Sequence, residues 1–137
     1  MIRVAVYDSV ADDCEITADA VRTCFENRHD EVELSQYTDG EAFVLMLMRS
    51  GCDMLFIGIE SMLDVETARS AARIGKKCPL FLVSRVADYG IEGFRLSALD
   101  YLIKPVTKER VGEALNRIDE MPWKLGGMYR DGVRHIC

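Results

Sequence analysis

The sequence has no Cys-x-x-Cys pair, and its five cysteines (Cys14, Cys24, Cys52, Cys78, Cys137) leave an odd one over, so neither a disulfide framework nor a zinc site is expected. Its two histidines, His29 and His135, are isolated and suggest no metal site. It lacks 18 uninterrupted apolar residues and opens without a charged segment leading into a long apolar one, which excludes a membrane span and a secretory leader from the reading. Reduced, mostly buried thiols then favour the cytoplasm. No Gly-rich phosphate loop follows the first apolar run, which argues against a cofactor-binding, flavodoxin-like enzyme. Basic charge is scarce over most of the chain: residues 1–120 carry 14 Lys and Arg against 22 Asp and Glu, whereas residues 121–137 carry 3 against 1. The larger part is therefore a poor nucleic-acid binder by itself.

What is present is a regular alternation of apolar runs and helical patterns. Ile2–Tyr7 is an apolar run broken only by Arg3. Met54–Ile57 and Pro79–Ser84 are continuous runs, as strands buried on both faces require. Glu31–Tyr37 alternates like an edge strand, and Leu99–Ile103 is a fifth, closed by Lys104-Pro105. Between them lie helical patterns. Asp12 or Asp13 caps the first, Thr38-Asp39-Gly40 starts the second (Glu41–Arg49), and the third covers about Val65–Ile74 with Gly75 at its end. The fourth runs from Asp88 to about Leu96 and contains Gly90 and Gly93, and Thr107 caps the last, to about Asp119. The expected fold is α/β, a doubly wound five-stranded parallel sheet in the order 2-1-3-4-5 with helices on both faces. Residues 1–120 form one domain. Pro122 and Gly126-Gly127 mark a linker, and Met128–Cys137 reads as a hairpin-like piece around Asp131-Gly132.

In an open parallel sheet, chemistry gathers at the carboxyl ends of the strands. This order brings Asp8-Ser9, Gly58, Ser84 and Lys104 together there. Those residues, with the runs Asp88-Tyr89-Gly90-Ile91-Glu92-Gly93-Phe94 and Ser97–Pro105, resemble the receiver domain of bacterial response regulators, in its LytTR-type subgroup. The resemblance covers about residues 1–119 and implies a two-component signalling module. It matches Ser84 to the receiver hydroxyl, Lys104 to the receiver lysine and Tyr101 to the switch aromatic. Gly58 stands where the phosphoacceptor aspartate belongs, and Ser9 where the carboxylate that touches the metal belongs. One remaining carboxylate, Asp8, makes at most a weak magnesium site, because that ion exchanges its waters only for anionic oxygens. The loop Ser61-Met62-Leu63-Asp64 is also shorter than usual and lacks the family's Pro-Gly.

Two functions follow from this. The first is a degenerate, non-enzymatic receiver without cofactor or metal, independent of phosphorylation and working through protein contacts. The alternative is a sensor that holds an anion or small molecule in a vacated pocket beside Gly58, Ser84 and Lys104. In the first case Lys104 pairs with Asp8, Ser84 satisfies a loop backbone group, and Tyr101 is either a fixed core aromatic or a mobile switch. A new phosphorylation site on Glu60 or Asp64 is not expected. Partner surfaces are an outward strip on the second helix, Ala42, Leu45 and Met48, and the surface of helix four, strand five and helix five. There the resemblance implies a homodimer, with Arg95, Asp100, Arg110 and Glu113 available for cross-subunit pairs. The tail resembles the opening strand of a LytTR DNA-binding domain, so DNA would be reached only through a domain absent from this chain.

Overall fold

The computed structural model describes residues 1–75 and 78–119. The linker and hairpin-like piece expected over 121–137 lie outside the described residues. The elements alternate strictly: β1 Ile2–Tyr7, α1 Ala11–Asn27, β2 Val32–Tyr37, α2 Gly40–Arg49, β3 Met54–Gly58, α3 Met62–Ile74, β4 Leu80–Ser84, α4 Gly90–Arg95, β5 Asp100–Ile103 and α5 Lys108–Asp119. All strand pairs are parallel and the order is β2-β1-β3-β4-β5, as expected from the sequence.

Side chains alternate across the sheet and divide the core in two. Val4, Val6, Met54, Phe56, Phe81 and Val83 face α1 and α5, where Phe56 stacks on Phe81 with ring centroids 4.8 Å apart. Ala5, Tyr7, Leu55, Ile57, Leu80 and Leu82 face the opposite way, against Phe43 and Leu47 of α2 and Val65, Ala68 and Ala71 of α3. Arg3 interrupts β1 without breaking it, because its side chain leaves the sheet to donate to the carbonyls of Ser50 (3.1 Å) and Gly51 (2.6 Å) at the end of α2. It thereby satisfies carbonyls that a helix terminus leaves free.

Three local expectations need correction. Neither Asp12 nor Asp13 caps α1: Val10 is the cap residue and makes no side-chain bond, and both aspartates lie inside the first turn. Their negative charge still suits a helix amino terminus. Helix α3 starts earlier, at Met62, and α4 is only six residues long. Asp39 does cap α2, accepting from the Glu41 amide at 3.2 Å. Of the two glycines of α4, a Cβ on Gly90 would meet nothing, whereas Gly93 has a packing reason. A Cβ on Gly93 would lie 3.3 Å from Leu82 Cδ1 and 3.6 Å from Tyr101, so its absence lets the helix sit down on the sheet.

Candidate functional site

The register brings the strand ends level, pairing Tyr7 with Ile57, Gly58 with Val83 and Ser84 with Ile103. The residues that follow therefore meet on one rim, close to the point where β1 is flanked by β2 on one side and β3 on the other. Asp8 is buried there. The Val10 amide donates to its Oδ1 at 2.9 Å, and its Oδ2 faces the Lys104 ammonium at 2.7 Å.

Position 58 is not open space. A Cβ built on Gly58 would lie 2.2 Å from Asp8 Oδ2 and 2.4 Å from Asp8 Cγ, well inside any van der Waals contact. The carboxylate of Asp8 thus lies over the Gly58 Cα, where a side chain at 58 would begin. The expectation of a vacated pocket is corrected by this geometry: the room left by the missing side chain is filled, and filled by an anion.

Lys104 is the hub of the rim. Its side chain is 3% exposed, and its Nζ contacts Asp8 (2.7 Å), Asp13 (2.9 Å) and Glu60. Arg85 covers the group from outside, 2.7 Å from Asp13 and 3.8 Å from Glu60. Three carboxylates therefore face two cations. Burial works against the charge on Lys104, but hydrogen bonds to Asp8, Glu60 and Asp13 outweigh it and hold its pKa above the ordinary lysine value. The bond from Lys104 is the main reason that the Asp13 carboxyl lies below its usual range. Asp8 goes the other way, because loss of solvent raises it more than Lys104 and the Val10 amide lower it.

The remaining sequence candidates are placed as follows. Ser84 Oγ donates to the Ile59 carbonyl at 2.7 Å and stands 3.4 Å from the Val86 amide, bridging two loops. Ser9 turns away from Lys104 and lies 3.4 Å from Asp64. Asp64 is itself buried and accepts from the Tyr7 hydroxyl (2.9 Å) and the Glu60 amide (2.8 Å). Burial and that bond push the Tyr7 phenol up. Tyr101 packs at the edge of the α2–α3 core, and its hydroxyl donates to the Val86 carbonyl at 2.6 Å. Leu45 and Met48 are exposed and line a groove of about 470 Å³ between α2 and α3, together with Val44, Glu66, Thr67 and Ser70. Arg95 is exposed on α4. Three of the residues expected at a dimer face, Asp100, Arg110 and Glu113, meet one another within the chain. Arg110 grips Asp100 with two bonds of 3.0 Å, Arg117 adds a third contact at 3.0 Å, and Glu113 lies 3.8 Å from Arg110.

Asp13, Glu60 and Arg85 were missed as site residues. Asp13 carried a signal that was read differently: it lies in the first turn after β1, and that turn overhangs the strand ends. Ligand atoms of Asp8, Asp13 and Glu60 lie within 4.8 Å of one another, which is close enough for a cation, but the Lys104 ammonium already sits among them. The receiver magnesium ion does not fit the residues at its own positions. Gly58 offers no carboxylate, Ser9 Oγ is turned to Asp64, and Asp8 is engaged by Lys104.

Comparison with known proteins agrees on the frame. No family model matches the chain. It is 27% identical over 121 residues to the sensory transduction protein LytT of Bacillus subtilis (strain 168), covering 85% of this chain and 48% of that protein. It is 24% identical over 96 residues to the sensory transduction protein LytR of Staphylococcus epidermidis, covering 68% and 38%. Among solved structures, the REC domain of AraT, a response regulator from Geobacillus stearothermophilus, superposes with a TM-score of 0.72 at 20% identity, over 90% of this chain and 97% of that one. The fold is that of a response-regulator receiver domain. A second receiver, the CheY-like protein from Methanospirillum hungatei, gives a TM-score of 0.69 at 16% identity, over 90% and 98%. The chain spans less than half the length of LytT and LytR. Among the described residues of this receiver fold, no helix is long and apolar enough to cross a membrane.

Proposed function

We propose that this chain is a pseudo-receiver: the control module of a cytoplasmic, LytTR-type transcriptional response regulator that is independent of phosphorylation and acts through protein contacts. One observation carries the reading. The space above Gly58 holds the Asp8 carboxylate, locked by Lys104, so there is neither a nucleophile at 58 nor room to seat a phosphoryl group beside it. Phosphoryl transfer to a carboxylate needs an attacking oxygen in line with phosphorus and cations free to take up the charge that develops. Here the lysine that would supply one such charge is surrounded by three carboxylates of its own chain. The same three anions oppose a bound anion, which weighs against the sensor alternative.

The chain's role is then to present surfaces. Ile91 and Phe94 on α4 and Ile103 on β5 are exposed, Phe94 at 87%, and offer apolar area for a homodimer through the face of α4, β5 and α5. With Asp100 and Arg110 already paired, apolar contact rather than cross-subunit ion pairs would drive that association. DNA binding belongs to a domain beyond this chain.

Incubation with acetyl phosphate and magnesium, followed by intact mass analysis, tests the reading. The expected spectrum is unchanged, as is the near-ultraviolet signal on adding beryllofluoride. A stable phosphoryl adduct on Asp8, Glu60 or Asp64 would overturn it.

A further inference from the structure

The other end of the sheet holds a pair of thiols that the strand-end site does not use. Cys52 stands two residues before the start of β3 and Cys78 two before the start of β4, and the register Leu55–Leu80, carried back two residues, sets Cys78 across from Asp53. Gly51, with φ +67°, turns the chain out of α2 just before Cys52. The Cys78 thiol donates to the Cys52 carbonyl at 3.1 Å, and the Cys52 thiol to the Met54 carbonyl at 3.3 Å. Both residues are half-buried at the margin of the α2–α3 core. Cys14 and Cys24 differ in place: both are buried in the opposite core.

Adjacent strands lie about 4.8 Å apart, and a disulfide spans Cα separations of about 4.4–6.8 Å. Cys52 and Cys78 stand one residue out of register ahead of paired strands, and the 3.1 Å approach of the Cys78 sulfur to the Cys52 carbonyl, with both side chains against the same core, makes them neighbours. Gly75 contributes room: a Cβ there would come within 3.2 Å of the Cys78 Cβ.

We infer that Cys52 and Cys78 form a reversible dithiol–disulfide site whose oxidant is a low-molecular-weight disulfide. Cys52 loses its proton and attacks one sulfur of the oxidant. This forms a mixed disulfide and releases one small thiol, which carries that proton away. Cys78 then attacks the Cys52 sulfur, closing the protein disulfide and releasing the second small thiol with the Cys78 proton. Two protein thiols lose two electrons and two protons, and the oxidant is reduced to two thiols. The neighbouring Cys78 side chain holds the Cys52 thiol below its ordinary value while Cys52 and burial push Cys78 up, which fits Cys52 as the attacking group. Closure ties the start of β3 to the start of β4 and makes a ring of chain that contains β3 and α3, one wall of the groove beside Leu45 and Met48. This inference is independent of the pseudo-receiver reading.

The test uses the full chain carrying Cys137→Ser, exposed to oxidised glutathione, blocked under native conditions with N-ethylmaleimide and mapped by peptide mass. The expected product is an intramolecular Cys52–Cys78 linked peptide that dithiothreitol reverses, with Cys14 and Cys24 alkylated only after unfolding. In a Cys78→Ser background the mixed disulfide should persist on Cys52. In Cys52→Ser it should form on Cys78 more slowly than it does on Cys52 in Cys78→Ser. Free or singly glutathionylated thiols in the Cys137→Ser protein, a linkage involving Cys14 or Cys24, or a linkage between two chains would each overturn the inference, and none of these depends on a variant at position 52 or 78.

Discussion

The rim of the sheet and its helical flanks solve opposite problems. At the carboxyl rim, Asp8, Asp13 and Glu60 are drawn onto Lys104 and Arg85, and charge is satisfied within the chain. On the flanks, Leu45 and Met48 on α2, Met62 and Leu63 on α3, and Ile91 and Phe94 on α4 face outward with no cover among the described residues. A receiver that signals chemically needs the reverse, an unsaturated rim able to accept a new charge. The contrast is what the proposed function rests on: on that reading, information enters and leaves this chain through surfaces and not through the strand ends.

The comparison breaks most directly at Lys104. Lys104→Met leaves three carboxylates around an apolar stem, and removing one side of a buried ion pair costs about 3–5 kcal/mol, measurable by urea unfolding at neutral pH. The emptied position should then accept calcium or magnesium among Asp8, Asp13 and Glu60, so the variant's Tm should rise with millimolar divalent cation while the wild type's stays flat. Flat melting curves for both proteins would mean that the carboxylates splay apart once the lysine is gone.

Gly58→Asp comes next. Restoring the family residue by sequence alone should cost about 1–3 kcal/mol from overpacking on Asp8, and acetyl phosphate should still leave no adduct. In a double-mutant cycle with Asp8→Ala, Gly58→Ala should be better tolerated than in the wild type, because the clashing carboxylate has gone. Additive effects would contradict the overlap.

The pH dependence sharpens the account of the rim. The raised pKa of Lys104 means that its contribution is fully present below the unfolded lysine value near ~10.4 and is lost as pH rises through the folded one. The difference in Tm between wild type and Lys104→Met should therefore narrow at strongly alkaline pH. On the acid side, the depressed Asp13 supplies stability above the unfolded value near ~3.9 that is lost as pH falls through its lower folded value. The raised Asp8 opposes this trend, since its ionisation at neutral pH is a cost that protonation relieves. Asp13→Asn should accordingly flatten the acid limb of the stability curve.

The smallest effects on stability belong to the flanks. Leu45→Glu and Phe94→Ser should each change unfolding free energy by less than about 0.5 kcal/mol, yet shift sedimentation if the corresponding face holds a partner copy. A shift with Phe94→Ser alone would select the α4–β5–α5 face, and a shift with Leu45→Glu alone the groove.

The frame was legible because burial on both faces leaves its mark in runs such as Met54–Ile57 and Leu80–Val83, and because parallel order sends Asp8, Gly58, Ser84 and Lys104 to one rim. The pairing of Lys104 with Asp8 could be anticipated for the same reason. Its other partners could not, since neither Asp13 nor Glu60 directly follows the last residue of a strand and no local pattern reports which rotamer bends a carboxylate inward. Likewise, Gly58 could be read as a missing side chain, but not as a seat for its neighbour's. Asp100 and Arg110 enter as dimer-face residues only through the family resemblance, which says nothing of their contact with each other, and an offset of ten residues brings the α5 guanidinium back over β5.

An ammonium tethered to its own backbone cannot be diluted, chelated or competed away. Whereas an ordinary receiver's state tracks the supply of phosphodonor and magnesium, the Lys104 rim would, on the proposed reading, be set by folding alone. How strongly such a module signals would then be set by how many copies the cell holds and how many partners they find.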